Sequence, residues 1–317
     1  YLQTDVEDAW KKVREKTFGA PPVRPRIRPK WLKYAAVVLP VLLSITLWYT
    51  WKEEMKNKQA TVARLSPVLT LDNGEKYQLD PEEQTEIYVN EEVKAYQAGG
   101  GLIYDTTARQ EENKYNRIEV PRGSEYWIVL PDGTRVWLNA ETELTYPTVF
   151  GKGERKLMLK GEACFEVVTD TARPFIVESF YNRVEVLGTR FNVSAYTGKS
   201  AVKTTLLRGK VKVSNRKGQL VLSPGEQAVC LEEEIEKCEV DARAVAAWVD
   251  GTFEFENMSL GEITDQLGRW YDVDFVFADQ QLKAITFTGA ATRYRELDFV
   301  LRMLEELARV RFQLENK

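Results

Sequence analysis

The stretch LPDGTRVWLNA at residues 130–140 predicts a β-hairpin and decides the fold class of the chain. Apolar and polar residues alternate on both sides of Asp132-Gly133. A tight primed turn requires positive φ angles, which Gly adopts at little cost and Asp tolerates. The stretch LTLDNGEKYQL at residues 69–79 is a weaker copy with Asn73-Gly74 at its turn. The two copies predict similar units that pack into one β-scaffold.

Short β-branched or aromatic runs continue from about residue 63 to about residue 240. Turn residues separate them at roughly 8–12-residue spacing, which is typical of an all-β sandwich, barrel or rolled sheet. The more polar stretch at residues 82–117 predicts hairpins and a mobile loop around its three consecutive glycines. We therefore expect a hairpin and linker region at residues 52–118 and an all-β domain (sandwich or rolled sheet) at residues 119–240.

Residues 241–317 predict a small α+β domain of βαβ-βαβ order. A short helix capped by Asp241 leads into it, and Ser259 with Glu262 forms a capping box at the start of the next helix. The expected helix stripes are Leu260, Ile263, Leu267 and Trp270/Tyr271, and then Leu297, Val300, Leu301, Leu304 and Leu307. The expected inward strand residues are Phe253 and Phe255, then Val273, Phe275 and Phe277, and finally Val310, Phe312 and Leu314. The stretch AITFTG at residues 284–289 predicts a further strand.

Residues 31–51 predict one transmembrane helix. Positions 34–51 carry no charge, and about twenty apolar residues span a bilayer core. Aromatic residues lie at both ends of the segment, as in interfacial belts. A buried core helix and a signal peptide are the alternatives, but thirty residues precede the segment and no cleavage motif of small residues follows it.

Basic residues before this segment predict its orientation. They are Arg24, Arg26, Arg28, Lys30 and Lys33. The positive-inside rule places the N-terminus in the cytoplasm and residues from about 52 onward across the membrane, in the periplasm of a bacterium. Residues 4–16 predict a short amphipathic helix, and a Pro-rich basic linker follows it, so residues 1–30 are the expected cytoplasmic part.

The composition of the 317 residues argues against most catalytic classes. The chain has no His, which removes the commonest general base and metal ligand and every Ser-His-Asp arrangement. With a net charge of −4, the whole chain gives no reason to expect nucleic-acid binding. We predict no cofactor and no metal. A membrane-anchored enzyme acting on envelope glycans stays open as an alternative, and it requires a deep cleft with two carboxylates about 5–10 Å apart.

A cysteine pair and a Gly-Thr dipeptide are the two sequence features that could undergo a covalent reaction. Cys230 and Cys238 flank an acidic stretch, so they either form a disulfide across two strands or stay unpaired, while Cys164 is expected to be a buried thiol. At Gly188-Thr189 the Thr hydroxyl could attack the preceding Gly carbonyl and exchange the amide for an ester. The alternative is a plain Gly bulge inside a strand, which the local physics favours.

Several ordered motifs resemble the FecR family of transmembrane anti-sigma regulators, especially the form found in Bacteroidetes. The motifs are LPDGTRVWLNAETELTYPTVF, ERKLMLKGEACFEVVTDTARPFIVES, VEVLGTRFNVSAY, TTLLRGKVKVS and LSPGEQAV. The tail from WVDGTFEFENMSLGEITDQLGRWYDVDFVF onward resembles the C-terminal domain that accompanies this family. That domain is similar to the short N-terminal domain of secretins and TonB-dependent transporters.

The resemblance implies cell-surface signalling from the bacterial inner membrane. The signalling domain of a TonB-dependent outer-membrane transporter would contact the C-terminal part, and the message would reach an extracytoplasmic-function (ECF) sigma factor in the cytoplasm. Some family members are cut at a Gly-Thr that corresponds to Gly188-Thr189. The sigma-binding helical domain of the family is longer than residues 1–30, and TDVEDAWKKVREK resembles its final helix. The sigma-binding region is thus expected to be largely missing from this chain.

Sheet edges of the C-terminal domain are the expected partner-binding sites, because an open edge can accept a partner strand through main-chain hydrogen bonds. Two strands are the candidates, and ordinary sheet membership is the alternative for each. They are Ala284, Ile285, Thr286, Phe287 and Thr288, and Arg309, Val310, Arg311, Phe312, Gln313 and Leu314. A non-enzymatic envelope assembly module, related to secretion-channel domains, is the competing function.

Overall fold

The computed structural model describes residues 10–14, 65–80, 83–88, 94–104, 114–308 and 310–313. The chain divides into two units, Tyr1–Lys58 and Gln59–Lys317. In the first unit, residues 10–14 are helical, within the helix predicted at residues 4–16. The predicted basic linker and the predicted transmembrane segment at residues 31–51 lie outside the described residues. No helix in the described part of the chain is long and apolar enough to cross a bilayer.

Eighteen strands form a curled β-structure in the described part of the second unit. The first nine are β1 (Val68–Thr70), β2 (Lys76–Gln78), β3 (Thr85–Tyr88), β4 (Lys94–Ala98), β5 (Gly101–Tyr104), β6 (Tyr115–Val120), β7 (Tyr126–Val129), β8 (Arg135–Leu138) and β9 (Thr142–Pro147). The next nine are β10 (Arg155–Glu166), β11 (Phe175–Ser179), β12 (Asn182–Val186), β13 (Arg190–Ala195), β14 (Val202–Arg208), β15 (Val211–Ser214), β16 (Gln219–Leu222), β17 (Glu226–Cys230) and β18 (Ile235–Glu239). We call β1–β18 the β-scaffold.

The long strand β10 joins the two layers of the β-scaffold. Its first half pairs with β9 and β11 in a layer of order β2-β1-β6-β9-β10-β11-β12-β15-β16. Its second half pairs with β8 and β13 in a layer of order β3-β4-β5-β7-β8-β10-β13-β14-β17-β18. Strand β10 passes from the first layer to the second at Gly161. Its φ of 97° favours glycine, and a Cβ at this position would lie 2.6 Å from the Glu141 carbonyl oxygen.

One apolar core lies within the β-scaffold, with buried side chains from strands of both layers. Ile118 and Leu144 come from the first layer, and Phe165 and Phe191 stack with ring centroids 5.0 Å apart in the second. Inward and outward residues alternate along the strands, as the period-2 pattern predicted. The all-β domain with a rolled sheet is therefore confirmed.

The two repeated hairpins are present and have the same loop. The backbone bonds are Leu71 N to Glu75 O (2.8 Å) and Gly74 N to Leu71 O (2.9 Å), and Leu130 N to Thr134 O (2.8 Å) and Gly133 N to Leu130 O (2.8 Å). Each loop thus has three residues and places its glycine last, at φ of 86° and 83°. The predicted two-residue primed turn is wrong, because only the glycine adopts positive φ and Asp132 instead accepts a hydrogen bond from the Thr134 amide.

Residues 94–104 form a hairpin, whereas a mobile loop was expected around the glycines. Gly99 and Gly100 make a two-residue turn with φ of 59° and 79°. Gly101 lies beside the Trp127 ring, where a Cβ would be 2.2 Å from the ring carbons, and β5 therefore pairs closely with β7. Strands β1 and β5 pair with β6 and β7 of the β-scaffold. Strand β6 also spans the predicted boundary between residues 118 and 119. Residues 68–104 therefore belong to the same β-structure as the residues that follow them.

The chain then enters a smaller α+β unit. Its elements are α1 (Ala242–Ala246), a 3₁₀ helix (Ala247–Asp250), β19 (Thr252–Ser259), α2 (Leu260–Tyr271), a 3₁₀ helix (Gln280–Ala284), β20 (Thr286–Thr292) and α3 (Leu297–Ala308). The Asp241 cap of α1 and the Ser259–Glu262 capping box of α2 are both confirmed. The predicted stripe of α3 is buried at Val300, Leu301 and Leu304, whereas Leu307 is exposed. We call residues 252–313 the C-terminal unit.

Of the predicted βαβ-βαβ sheet, the described residues show β19 and β20, which form a two-stranded antiparallel sheet. Val273–Phe277 and residues 310–313 alternate between half-buried and exposed positions but form no strand ladder among the described residues. The Val273 amide bonds to the Gly268 carbonyl, and its own carbonyl accepts from Arg122, so the ladder groups of Val273 are already used. Asp279 caps the second 3₁₀ helix, which ends at Ala284. The strand predicted at residues 284–289 therefore begins later, at Thr286.

Candidate functional site at the junction of the β-scaffold and the C-terminal unit

Arg293 is the central residue of the junction between the β-scaffold and the C-terminal unit. It follows β20 and is 1% exposed. Its Nη2 donates to Asn139 Oδ1 at 2.7 Å, and its Nη1 lies 3.2 Å from Glu125 Oε2. Its Cζ lies 3.7 Å from the centroid of the Trp270 ring, a cation–π contact. One buried side chain therefore contacts both parts of the molecule.

The backbone around Arg293 is held as firmly as its side chain. The Arg293 amide donates to the Gly251 carbonyl at 2.9 Å, and the Trp270 indole donates to the Arg293 carbonyl at 2.7 Å. Burial lowers the pKa of the Arg293 guanidinium, while the nearby Glu125 carboxylate raises it. An arginine keeps its charge in proteins, so burial makes these polar partners a structural requirement.

Five residues close a ring of hydrogen bonds across this junction. In order, Arg293 Nη2 donates to Asn139, Asn139 Nδ2 to Glu162 (2.7 Å), Asn192 Nδ2 to Glu162 (3.0 Å), Trp248 Nε1 to Asn192 (3.1 Å), and Arg293 Nη1 to the Trp248 carbonyl (3.0 Å). Three members belong to the β-scaffold, Trp248 to the connecting 3₁₀ helix and Arg293 to the C-terminal unit. We call this set the junction ring. Each bond satisfies a polar group that burial would otherwise penalise.

A second arginine crosses the junction in the opposite direction. Arg122, which follows β6, donates through Nη2 to the carbonyls of Gly268 (2.8 Å) and Val273 (2.6 Å). Its other nitrogens pair with Asp272 and Asp274 at 3.2 Å and 2.9 Å. These carbonyls lie at the C-terminal end of α2, where unpaired acceptors and the helix dipole favour a cation.

Helix α2 also carries ion pairs to the β-scaffold. Lys203 Nζ lies 3.0 Å from Glu262 Oε1, and Lys199 pairs with Asp265 one turn further along α2. Burial raises the pKa of Glu262, but the charge of Lys203 and the hydrogen bonds outweigh it and lower the pKa overall. The Arg269 Cζ stacks 3.9 Å from the Tyr196 ring centroid, one turn beyond Asp265.

A cleft of about 1120 Å³ lies between the β-scaffold, the connecting helices and the C-terminal unit. Carboxylates line it, including Glu162, Glu226 and Glu262. A hydrogen bond from Lys237 lowers the pKa of Glu226, and the pKa of Glu262 is also lowered. The general acid of a glycosidase needs a raised pKa, and neither of these two carboxylates has one. Among the described residues, no cluster of three or more Cys, Asp or Glu side chains has a metal-binding arrangement.

Comparison with known proteins follows the same division of the chain. The model of the FecR protein family matches residues 116–212, and the FecR C-terminal model matches residues 252–317. A crystal structure at 1.65 Å of a "putative anti-sigma factor" from Parabacteroides distasonis ATCC 8503 is 32% identical, with a TM-score of 0.60. The alignment covers 63% of this chain and 95% of that one. This chain belongs to the FecR family of anti-sigma factors.

A second crystal structure with the same description, from the same organism at 2.50 Å, is also 32% identical and has a TM-score of 0.57. It shares the same coverage, 63% of this chain and 95% of that chain. None of the curated proteins matches this chain. The two family ranges include Asn139, Glu162, Asn192 and Arg293 of the junction ring, whereas Trp248 lies between them. The ring therefore joins the two segments that define this FecR-family chain.

Gly188 and Thr189, the predicted cleavage dipeptide of the FecR-family motif, lie between β12 and β13 and outside the junction ring. Thr189 is 4% exposed, and its Oγ1 donates to the Lys210 carbonyl at 3.0 Å. A Cβ on Gly188 would lie 2.2 Å from Thr169 Oγ1, so glycine is required by close packing. The predicted bulge lay inside a strand, whereas the register shift of β13 lies between Arg190 and Phe191, after the dipeptide. Self-cleavage stays a prediction.

The cysteine pair is unpaired in the structure, which is the second of the two alternatives. Cys230 and Cys238 lie on adjacent strands, but Cys230 is opposite Ile235 and Cys238 is opposite Gln227. The three-residue offset turns them to opposite faces of the sheet, because side chains alternate along a strand. Burial raises the pKa of Cys230 to about 11 and that of the buried Cys164 to about 12.

The two predicted partner-binding strands also lie outside the junction ring. Ala284 and Ile285 belong to the end of a 3₁₀ helix, and of the three β20 residues Phe287 is buried while Thr286 and Thr288 are exposed. In the second candidate, Val310 and Phe312 pack on the C-terminal core, and Arg311 and Gln313 are exposed. Arg309 and Leu314 lie outside the described residues. The sequence analysis did not identify Arg122, Arg293, Asn139 or Asn192 as functional residues. The sequence contains one signal for them, which is a polar residue at an inward strand position, as at Asn192.

Proposed function

We propose that this FecR-family anti-sigma factor relays a signal across the bacterial inner membrane. A TonB-dependent outer-membrane transporter contacts the periplasmic C-terminal unit, and the message reaches an ECF sigma factor in the cytoplasm. The chain crosses the membrane once at residues 31–51, with its N-terminus in the cytoplasm and its C-terminus in the periplasm. The charge asymmetry around that segment and the family membership support this arrangement.

The junction ring is the observation that carries the proposal. A relay needs the contacted unit and the rest of the periplasmic structure to respond together. The ring, the Arg122 fork and the two lysine pairs tie the C-terminal unit to the β-scaffold. Breaking a buried polar network leaves its members unsatisfied and costs several kcal/mol. A force or displacement at the C-terminal unit is therefore passed to the β-scaffold.

The proposal gives the chain no catalytic turnover. Self-cleavage at Gly188-Thr189 would be a single maturation event that yields two chains held together by the β-scaffold. It can be tested with Thr189→Ala in cells that express the full chain, with Thr189→Ser as the matched variant that keeps a hydroxyl. Loss of both fragments in the alanine variant alone supports self-cleavage, and the same two fragments from Thr189→Ala exclude it.

Affinity capture tests the relay. The tagged full-length protein is captured from crosslinked cells of its own organism, and the co-purifying proteins are identified by mass spectrometry, with untagged cells as the control. We expect an ECF sigma factor together with a TonB-dependent transporter. Recovery of a secretion channel in place of both would overturn the relay and favour the assembly module.

A further inference from the structure

Residues 121–125, which we call the β6–β7 loop, hold the C-terminal end of helix α2. The Gly123 amide donates to the Arg269 carbonyl at 2.8 Å, and Arg122 Nη2 donates to the Gly268 carbonyl at 2.8 Å. Both carbonyls belong to the last turn of α2, where helical acceptors and the negative end of the helix dipole favour N–H donors and positive charge. The loop therefore binds α2 through its main chain as well as through a side chain.

The other end of the β6–β7 loop binds the residues that follow β20. Glu125 Oε2 accepts from Arg293 Nη1 at 3.2 Å, and Glu125 Oε1 accepts from the Tyr294 hydroxyl at 3.0 Å. Arg293 and Tyr294 come directly after β20 in the chain. Five consecutive residues of the β-scaffold thus contact two separate elements of the C-terminal unit.

The β6–β7 loop is also fixed within the β-scaffold. Gly123 and Ser124 are buried, and the Pro121 carbonyl accepts from the Glu141 amide at 3.3 Å. A buried loop with satisfied main-chain groups moves together with the strands that it joins.

The β6–β7 loop continues directly from β6, the strand that pairs with β1. Val68 is opposite Glu119, so β1 begins beside the end of β6 from which the loop leaves. Arg122 follows Glu119 by three positions, which places it about 10 Å from the start of β1 at the usual rise of a strand. β1 is the first strand in the described part of the chain after the predicted membrane segment at residues 31–51.

The junction ring reaches β1 by a longer series of contacts. Its member Glu162 lies on β10, and the pairings β10–β9, β9–β6 and β6–β1 separate that strand from β1. From the β6–β7 loop, the single pairing β6–β1 leads to the same strand. Because the compliances of contacts in series add, the shorter series passes on a displacement with the smaller loss.

We propose that the β6–β7 loop passes a displacement of the C-terminal unit to β1, and from there to the chain that leads to the predicted membrane segment. The inference rests on the proposed relay and assigns the place where its signal leaves the C-terminal unit. Arg122 is the positioning residue, since its guanidinium binds the carbonyls of Gly268 and Val273 and pairs with Asp272 and Asp274. The junction ring keeps the two parts together while the loop transmits their movement.

Hydrogen exchange in the detergent-solubilised full-length chain tests whether the loop holds β1. Arg122→Met removes the polar contacts and keeps an unbranched side chain. Arg117→Met is the matched control, because Arg117 lies on β6 opposite Thr70 of β1 but is 41% exposed and pairs with Glu119 and Glu143 of the β-scaffold.

We expect Arg122→Met to speed exchange about fivefold or more in the last turn of α2 and in β1, and to leave β16 within about twofold, since lost charged hydrogen bonds promote local opening. Strand β16 lies at the far edge of the same layer as β1. Equal exchange of β1 in the two variants would overturn the inference. A uniform increase that includes β16 would also overturn it, because Arg122 would then be a general stabilising contact.

Binding of the transporter tests transmission itself. The transporter recovered by affinity capture is purified and added to the unmodified chain and to both variants. We expect it to change exchange by about threefold or more in the C-terminal unit and in β1 of the unmodified and Arg117→Met chains, but in the C-terminal unit only of Arg122→Met. A change in β1 that persists in Arg122→Met would contradict the proposal.

The outcomes separate this inference from the proposed relay. If the transporter changes exchange in the C-terminal unit of the unmodified chain but leaves β1 as it was, transmission through the β6–β7 loop is wrong and contact with the transporter stands. If affinity capture recovers no transporter, the relay fails and the signalling role of the loop fails with it. The comparison of Arg122→Met with Arg117→Met then still decides whether the loop holds β1.

Discussion

The Arg293 guanidinium stacks on the indole ring of Trp270, and the Trp270 indole donates a hydrogen bond back to the Arg293 carbonyl. Both residues belong to the C-terminal unit, yet the N–H groups at the edge of the guanidinium donate to Asn139 and Glu125 of the β-scaffold. Trp270 thus orients a charged side chain toward another part of the protein. In this FecR-family chain, that orientation joins the C-terminal unit to the β-scaffold.

Arg293→Met should uncouple the C-terminal unit from the β-scaffold. Methionine keeps the contact with Trp270 but leaves Asn139, Glu125 and the Trp248 carbonyl without their donor. We expect a loss of about 2–4 kcal/mol in the free energy of unfolding, measured with urea. Hydrogen exchange should also become faster in α2 and β20.

Arg302→Met is the matched control for this substitution. Arg302 is 63% exposed on α3 and pairs with Asp298 one turn earlier on the same helix. An exposed pair of this kind contributes little, so the free energy of unfolding should change by less than about 0.5 kcal/mol. Equal losses in the two variants would mean that the junction ring does not couple the units.

Glu262→Gln should make the stability of the molecule less dependent on acid pH. The folded pKa of Glu262 lies below its ordinary value of 4.5, so its ion pair with Lys203 stabilises the fold above that pH and is lost as the pH falls through the folded pKa. Glutamine keeps the capping box and removes the charge. Thermal unfolding should show the variant less stable by at most about 1 kcal/mol at neutral pH, with the gap closing as the pH falls through the folded pKa of Glu262. A gap that widens in acid would contradict the assignment.

Gly188→Ala should destabilise the β-scaffold through steric overlap. Its Cβ would lie 2.2 Å from Thr169 Oγ1 and 2.7 Å from Thr169 Cα, and the backbone cannot yield as a flexible side chain could. We expect a loss of about 1–3 kcal/mol in urea unfolding. Gly153→Ala is the control, because nothing lies within 4 Å of its Cβ, and it should change stability by less than about 0.5 kcal/mol. A neutral Gly188→Ala would show that Thr169 can move away.

The three cysteines should differ in reactivity. Cys238 is exposed, whereas Cys164 and Cys230 are buried with pKa values raised to about 12 and about 11. Because the thiolate is the reactive form, a maleimide should label one cysteine in the native protein and three after unfolding. Mass spectrometry of alkylated protein with and without prior reduction checks the same point, and a mass difference would reveal a disulfide.

Local patterns predicted the elements whose determinants are near one another in the chain. The Ser259–Glu262 capping box, the Asp241 cap and the two glycine hairpins depend on residues within four positions, so their chemistry is visible in the sequence. The alternating burial of β6 and β8 was predicted in the same way. Family motifs added the anti-sigma role, which no local pattern carries.

Predictions failed where distant residues compete for the same groups. The alternation at Val273, Phe275 and Phe277 fits a strand, but Arg122, about 150 positions away, already occupies the Val273 carbonyl. Of the two alternatives left open for Cys230 and Cys238, the register of β17 and β18 favours the unpaired one, because it sends the two side chains to opposite faces. A one-residue change of register reverses every side chain, and sequence spacing alone does not determine it.

The sequence by itself determined an all-β scaffold, two capped helices after it, and membership of the FecR family. The tertiary structure decided which residues couple these parts. Asn139, Glu162, Asn192, Trp248 and Arg293 are separated by up to 154 positions between Asn139 and Arg293, and they meet because β8, β10 and β13 are neighbours beside the C-terminal unit. Burial then makes their hydrogen bonds obligatory, since a polar group removed from water must find its partner within the protein.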